Sequence, residues 1–122
     1  GNIKVFHGTF EASSLASGSD ISIARIPANS KIHDVIVKCD ALGGSVTLKC
    51  GTADDDDLFF AVTGTWNVAG QTQSMLGGAS TGNPIAAMTG VGHRTTASTD
   101  VILTTGGASA TGTIHCVVYY TQ

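Results

Sequence analysis

The chain has 122 residues, only 12% of them charged and 6% aromatic, with 16 glycines and a formal charge of −3. That length suits one domain, residues 1–122, with a core that needs no disulfide or metal to hold it. Its six basic residues are scattered, which speaks against a nucleic-acid surface, and no apolar run approaches the ~20 residues of a membrane helix.

No export signal with a basic start and an apolar centre is present, so the sequence predicts a soluble protein with no membrane partner. Ile3 to Phe10 alternates, with Ile3 and Val5 on one phase and Lys4 and Phe6 on the other. It reads as a first strand or an extended N-terminal arm within residues 1–18, and Glu11 to Gly18 reads as a surface connection. Alternation resumes from Asp20 to Ile26 through Ile21 and Ile23, and Pro27-Ala28-Asn29-Ser30 supplies a turn. Lys31 to Gly51 then reads as a β-hairpin closed over Gly43-Gly44. Its dry face takes Val35, Val37, Cys39 and Ala41 together with Val46, Leu48 and Cys50. Its wet face takes Asp34, Lys38, Asp40, Thr47 and Lys49, with Ile36 the apolar exception.

Four adjacent carboxylates, Asp54 to Asp57, precede Leu58-Phe59-Phe60-Ala61-Val62. Such carboxylates repel one another and stay solvated, whereas phenylalanines need burial, so the run predicts a loop or one short helical turn that drops an apolar plug onto the core. Thr63 to Gly70 carries Trp66 in polar company, Gln71 to Leu76 suits a short strand, and Gly77 to Pro84 is loop by composition. In Ile85 to Thr96, Gly90 and Gly92 weaken any strand. Thr99 to Thr105 and Gly112 to Tyr120 read as strands joined by a hairpin loop of small residues. On the last strand Ile114, Cys116, Val118 and Tyr120 share one face, with His115, Val117 and Tyr119 on the other. Seven or eight short strands with closely spaced turns predict an all-β, antiparallel β-sandwich or jelly roll.

Chemistry is sparse. Asp54 to Asp57 invites a Ca²⁺ site, but it lacks the alternating ligands and central glycine of a calcium loop, and a solvated acidic turn is the better reading. The four histidines, His7, His33, His93 and His115, lie on different strands and in no metal-binding frame. Cys39, Cys50 and Cys116 show no zinc spacing and suit small buried hydrophobes, although Cys39 and Cys50 stand close enough across the hairpin for a disulfide. Nucleophile, base and oxyanion donor do not occur together, so no enzyme activity and no cofactor are expected. Phe6, Phe10, Ile36, Val117 and Tyr119 fall on outward phases, and outward apolar residues mark a protein contact surface. With Ile3 and Val5 from the arm, they define a candidate interface of Ile3, Val5, Phe6, Phe10, Ile36 and Tyr119.

The Pro-containing turn, the Lys31 to Leu48 segment, and Gly51-Thr52-Ala53-Asp54 with its acidic stretch and Leu-Phe plug resemble small virion proteins of tailed bacteriophages. So does the ending, Thr99 to Ile114 followed by a Val/Tyr strand. The resemblance spans about residues 20–62 and 97–120, and points to capsid decoration, or cement, proteins. It implies a homotrimer on the outer capsid surface, assembled in the host cytoplasm, whose partner is the major capsid protein. In such a role an extended Asn2 to Phe10 adds as a strand to a neighbour's sheet edge. A second reading, a receptor- or glycan-binding module of a phage fibre or spike, rests on Trp66 and its neighbouring loops.

Overall fold

The computed structural model of the chain describes residues 2–60, 66–75 and 92–122. The predicted loop Gly77 to Pro84, the end of the plug at Ala61-Val62 and the glycine pair's first member, Gly90, lie outside the described residues. The described residues form seven strands: β1 (Lys4–Leu15), β2 (Asp20–Ile26), β3 (Lys31–Cys39), β4 (Thr47–Gly51), β5 (Gln71–Ser74), β6 (Thr99–Gly106) and β7 (Ala110–Thr121). They form a four-stranded sheet in the order β1-β7-β3-β5 and a three-stranded sheet in the order β2-β6-β4, and every pairing is antiparallel.

Successive strands therefore alternate between the two sheets, and no two consecutive strands are hydrogen-bonded neighbours. This is the interleaved order of a jelly roll. Outside these strands, isolated bridges join Cys50 to Phe60 and Lys31 to Arg94. The sandwich expected from the sequence is present, but neither expected hairpin is. β3 and β4 lie in opposite sheets, as do β6 and β7, so both glycine-rich links are arches from sheet to sheet. The reason is that an inward-facing alternation is the same whether two strands lie side by side or face to face.

The two arches stack on one another. Gly107, at φ +81°, stands where a Cβ would lie 1.9 Å from the Ser45 carbonyl oxygen, so both the turn and the close approach demand glycine. Trp66 ties the first arch together: its N–H donates to the Val46 carbonyl at 2.9 Å and its carbonyl accepts from Leu42 at 2.8 Å. Ala41 is exposed and Leu42 buried, because the alternation ends with β3.

Between the sheets, Val35, Val37, Cys39, Ile114, Cys116 and Val118 from one side meet Ile21, Leu48, Cys50, Val101 and Leu103 from the other, all buried. A bulge at His33 lets Ile32 and Val35 both face inward. The apolar plug is observed, with Phe59 and Phe60 fully buried and Asp54 to Asp57 exposed. So is the turn before β3. Asn29 takes φ 60°, and the Thr95 hydroxyl donates to the Pro27 carbonyl at 2.8 Å while accepting from the Ser30 N–H at 2.9 Å.

The N-terminal segment is a strand laid on β7 of its own chain, from Lys4 opposite Tyr120 to Leu15 opposite Ala110. Its phase is the reverse of the one expected: Phe6, Gly8, Phe10 and Ala12 face inward, and Val5, His7, Thr9 and Glu11 face outward. Gly8 sets this phase. There β1 passes so close to β2 that a Cβ would lie 1.8 Å from the Ile23 carbonyl oxygen. Only glycine fits, and the side chains two and four residues away must share its face.

Gly8→Ala is accordingly expected to destabilise the protein by about 1–3 kcal/mol, the usual range for forcing extra carbon into a packed interior. Gly44→Ala, where a Cβ would meet nothing within 4 Å, should leave the urea midpoint unchanged.

Candidate functional site

The outer faces of the two sheets differ in character. On the four-stranded sheet, β-ladder register aligns Val5 with Tyr119 and Asp34, and the next row aligns His7, Val117, Ile36 and Ser74. A third row carries Thr9, His115, Lys38 and Thr72. Val5, Tyr119, Val117 and Ile36 thus form one apolar patch across three strands, since direct and diagonal cross-strand neighbours touch. Val5 is 57% exposed and Ile3, just before the strand, 65% exposed, whereas Ile36, Val117 and Tyr119 are half-buried by their neighbours. Polar groups border the patch: the Ser74 hydroxyl donates to both Asp34 carboxylate oxygens, at 3.0 and 3.2 Å.

The outer face of the three-stranded sheet is polar. Asp20, Thr104 and Lys49 share a row, in which the Thr104 hydroxyl donates to Asp20 at 2.9 Å. Arg25 pairs with Asp100 at 3.0 Å and Lys49 with Asp56 at 2.7 Å. These solvated pairs add little stability, but they keep the face wet. Ile102 is its apolar member.

Of the six residues proposed from sequence as an interface, the structure brings Val5, Ile36 and Tyr119 together, with Ile3 on the same phase. Phe6 and Phe10 are corrected: they pack against the core from the inner face of β1. The sequence reading missed that His7 and His115 meet on this same outer face, with His7 Nε2 and His115 Nδ1 3.1 Å apart. Only the β1–β7 register reveals it, because the two residues are 108 positions apart.

Other candidate chemistry falls away. Trp66 is fully buried, so it offers no ring to a sugar, and the glycan-binding reading loses its anchor. Asp55, Asp56 and Asp57 crowd their carboxylates within 4.8 Å, all exposed. A side-chain hydrogen bond with Asp55, followed by the neighbouring Asp55 and Asp56 charges, raises the Asp57 carboxyl, while Lys49 holds Asp56 and is itself raised by that hydrogen bond. An open cleft of ≈ 310 Å³ is lined by Arg25, Thr52, Asp54, Thr96 and Asp100, and its guanidinium is spent on Asp100.

The three cysteines are free thiols buried between the sheets. Cys39 and Cys50 lie in opposite sheets rather than across a hairpin. Burial pushes Cys39 up to about 12, with the Asp40 charge adding, and pushes Cys116 up to about 12. Cys50 is raised further by full burial and by Cys116 beside it. A thiol in that state is neither nucleophile nor metal ligand at neutral pH.

No family model matches the chain, and no curated protein matches it. Solved structures do share its fold. A chain of the capsid asymmetric unit of cyanophage Pam1 is similar at 19% identity and TM-score 0.70, over 98% of this chain and 84% of that one. A chain of the capsid of Ralstonia phage GP4 is similar at 19% identity and TM-score 0.73, over 100% and 85%. A chain from the acidic stable capsid structure of Helicobacter pylori bacteriophage KHP30 gives 10% identity and TM-score 0.64, over 97% and 86%.

The raised thiols carry a signed pH dependence. Their folded values lie above the ordinary 9.0, so the stability they contribute is complete below pH 9 and is lost as pH rises toward 12. Urea midpoints are expected to fall over that window, and less steeply in Cys116→Val. At pH 7 an aromatic disulfide reagent should titrate no thiol in the folded protein and three after unfolding.

Proposed function

We propose that the chain is a virion structural protein that decorates the outside of a phage capsid as a cement protein, with no catalysis. The observation that carries this is the match of nearly the whole chain to chains in three phage capsid structures. Those chains are only slightly longer than this one, since it covers 84–86% of each. The partner is the major capsid protein, the assembly unit is a homotrimer, and assembly takes place in the host cytoplasm before the protein settles on the outer capsid surface.

The contrast between the two sheet faces supports a direction of docking. The four-stranded sheet offers Val5, Ile36, Val117 and Tyr119 inside a polar rim, the anatomy of a contact surface. The three-stranded sheet offers exposed ion pairs and faces water. Trimerisation would strengthen weak individual contacts, because a second subunit binds at high effective concentration once the first is placed.

Purified empty capsids of the parent phage are expected to bind the protein saturably, and native mass measurement should find three copies in the free species. Ile36→Lys or Val117→Lys, with an unchanged urea midpoint, should weaken capsid binding by roughly 30-fold, the effect of losing one central contact worth about 2 kcal/mol. Ile102→Lys on the opposite face should bind like the wild type. Wild-type protein that ignores the capsids would overturn the function, and equal binding by all three variants would overturn the docking face.

A further inference from the structure

Beside the apolar patch, the outer face of the four-stranded sheet carries two imidazoles in contact. His7 Nε2 lies 3.1 Å from His115 Nδ1, and the rings stack with centroids 5.3 Å apart and planes inclined by 22°. The register explains why. Thr9 stands opposite His115 and His7 opposite Val117, so the two histidines are diagonal neighbours, and strand twist brings one diagonal close. The contact is a hydrogen bond when one facing nitrogen carries a proton and the other a lone pair.

We propose that His7 and His115 form a two-imidazole site for a transition-metal dication of the zinc, nickel and copper class, with His7 Nε2 and His115 Nδ1 as ligands. Neutral imidazole suits these ions, whereas calcium and magnesium want oxygen. Two nitrogens bound to one tetrahedral ion at 2.0–2.1 Å stand about 3.4 Å apart. The observed 3.1 Å thus needs to widen by only a few tenths of an ångström, within the reach of two side-chain torsions. Binding also needs both facing lone pairs, so the protons must sit on His7 Nδ1 and His115 Nε2. Solvent exchange moves the one proton of the present contact to the far nitrogen of its own ring, and a neutral pair releases no net proton.

The surroundings are consistent with an exposed, pre-positioned chelate. His7 is exposed and His115 half-buried, so an ion reaches them from solvent, and water completes its shell. Both backbones are held in the β1–β7 ladder, so little order is lost on binding. The Thr9 hydroxyl lies 3.4 Å from His115 Nδ1, and by register Lys38 flanks His115 on β3, while Glu11, which accepts from the Thr113 hydroxyl at 2.7 Å, lies two residues beyond Thr9. The remaining histidines are placed otherwise. His33 Nε2 is engaged with the Thr121 hydroxyl at 3.0 Å, and His93 lies edge-on to Phe59.

The test is titration of the full chain with Zn²⁺, Ni²⁺ and Cu²⁺ separately, followed by calorimetry and thermal unfolding. One ion should bind per chain, most tightly Cu²⁺, and raise Tm by a few degrees, because the ion bridges two strands only in the folded state. His7→Ala and His115→Ala should each weaken binding at least tenfold and abolish the rise. His33→Ala and Asp56→Asn should leave both unchanged. Because a histidine variant that failed to fold would also lose binding, His115→Gln, which keeps a polar group beside His7, is compared at a matched urea midpoint and should lose the ion as well. Absence of saturable binding, binding that survives both His7→Ala and His115→Ala, or loss on Asp56→Asn instead would overturn the site.

Discussion

Two apolar sheet faces pressed against each other are the constraint on which this protein depends. Among the described strands none pairs with its neighbour in sequence, so β1 to β7 are held by partners distant along the chain. What joins β1 through β7 is burial of the facing side chains, at about 25 cal/mol for each Å² removed from water. Val35, Val37, Ile114 and Val118 supply one face and Ile21, Leu48, Val101 and Leu103 the other. Phe59, Phe60 and Trp66 add the largest volumes from outside the ladders. The cysteines belong to the same accounting, as small apolar groups whose thiols stay protonated.

This division of labour explains which parts of the fold were legible in the sequence. Alternation assigned Val35, Val37, Cys39, Leu48 and Cys50 to the core, and Ile36, Val117 and Tyr119 to the outside, because the side-chain period of two holds along β3, β4 and β7. The Pro27 to Ser30 turn and the Phe59-Phe60 plug were legible from local chemistry. Pairing was not, since a side chain pointing inward carries no mark of whether its strand lies beside or across from the next. β1 was misread for a different reason. Its inward set includes Gly8, which removes an apolar marker from the middle of the pattern and leaves Ile3 and Val5 as the louder signal.

The surface follows from the same topology. β7 sits between β1 and β3 at the centre of the four-stranded sheet, so it draws Val5 and Ile36, which are distant in sequence, to either side of Val117 and Tyr119. It also draws His7 to His115. In the proposed reading the docking part of the chain is this sheet face, and its mark in the sequence is a set of apolar residues on a phase that should be wet, legible only where no bulge or glycine intervenes.

The pairing of the first strand with the last has a consequence for how the protein is made. β1 is made before the other described strands, yet its ladder partner, β7, is made after all of them. β3 likewise awaits β5 and β7, and β2 awaits β6. The nascent chain therefore carries Phe6, Phe10 and a growing set of unpaired strands until β7 has emerged, and the sandwich closes as one slow, non-local event. A chain cut before β7 lacks the strand on which β1 and β3 both pair, so it completes no four-stranded sheet and stays open to proteases.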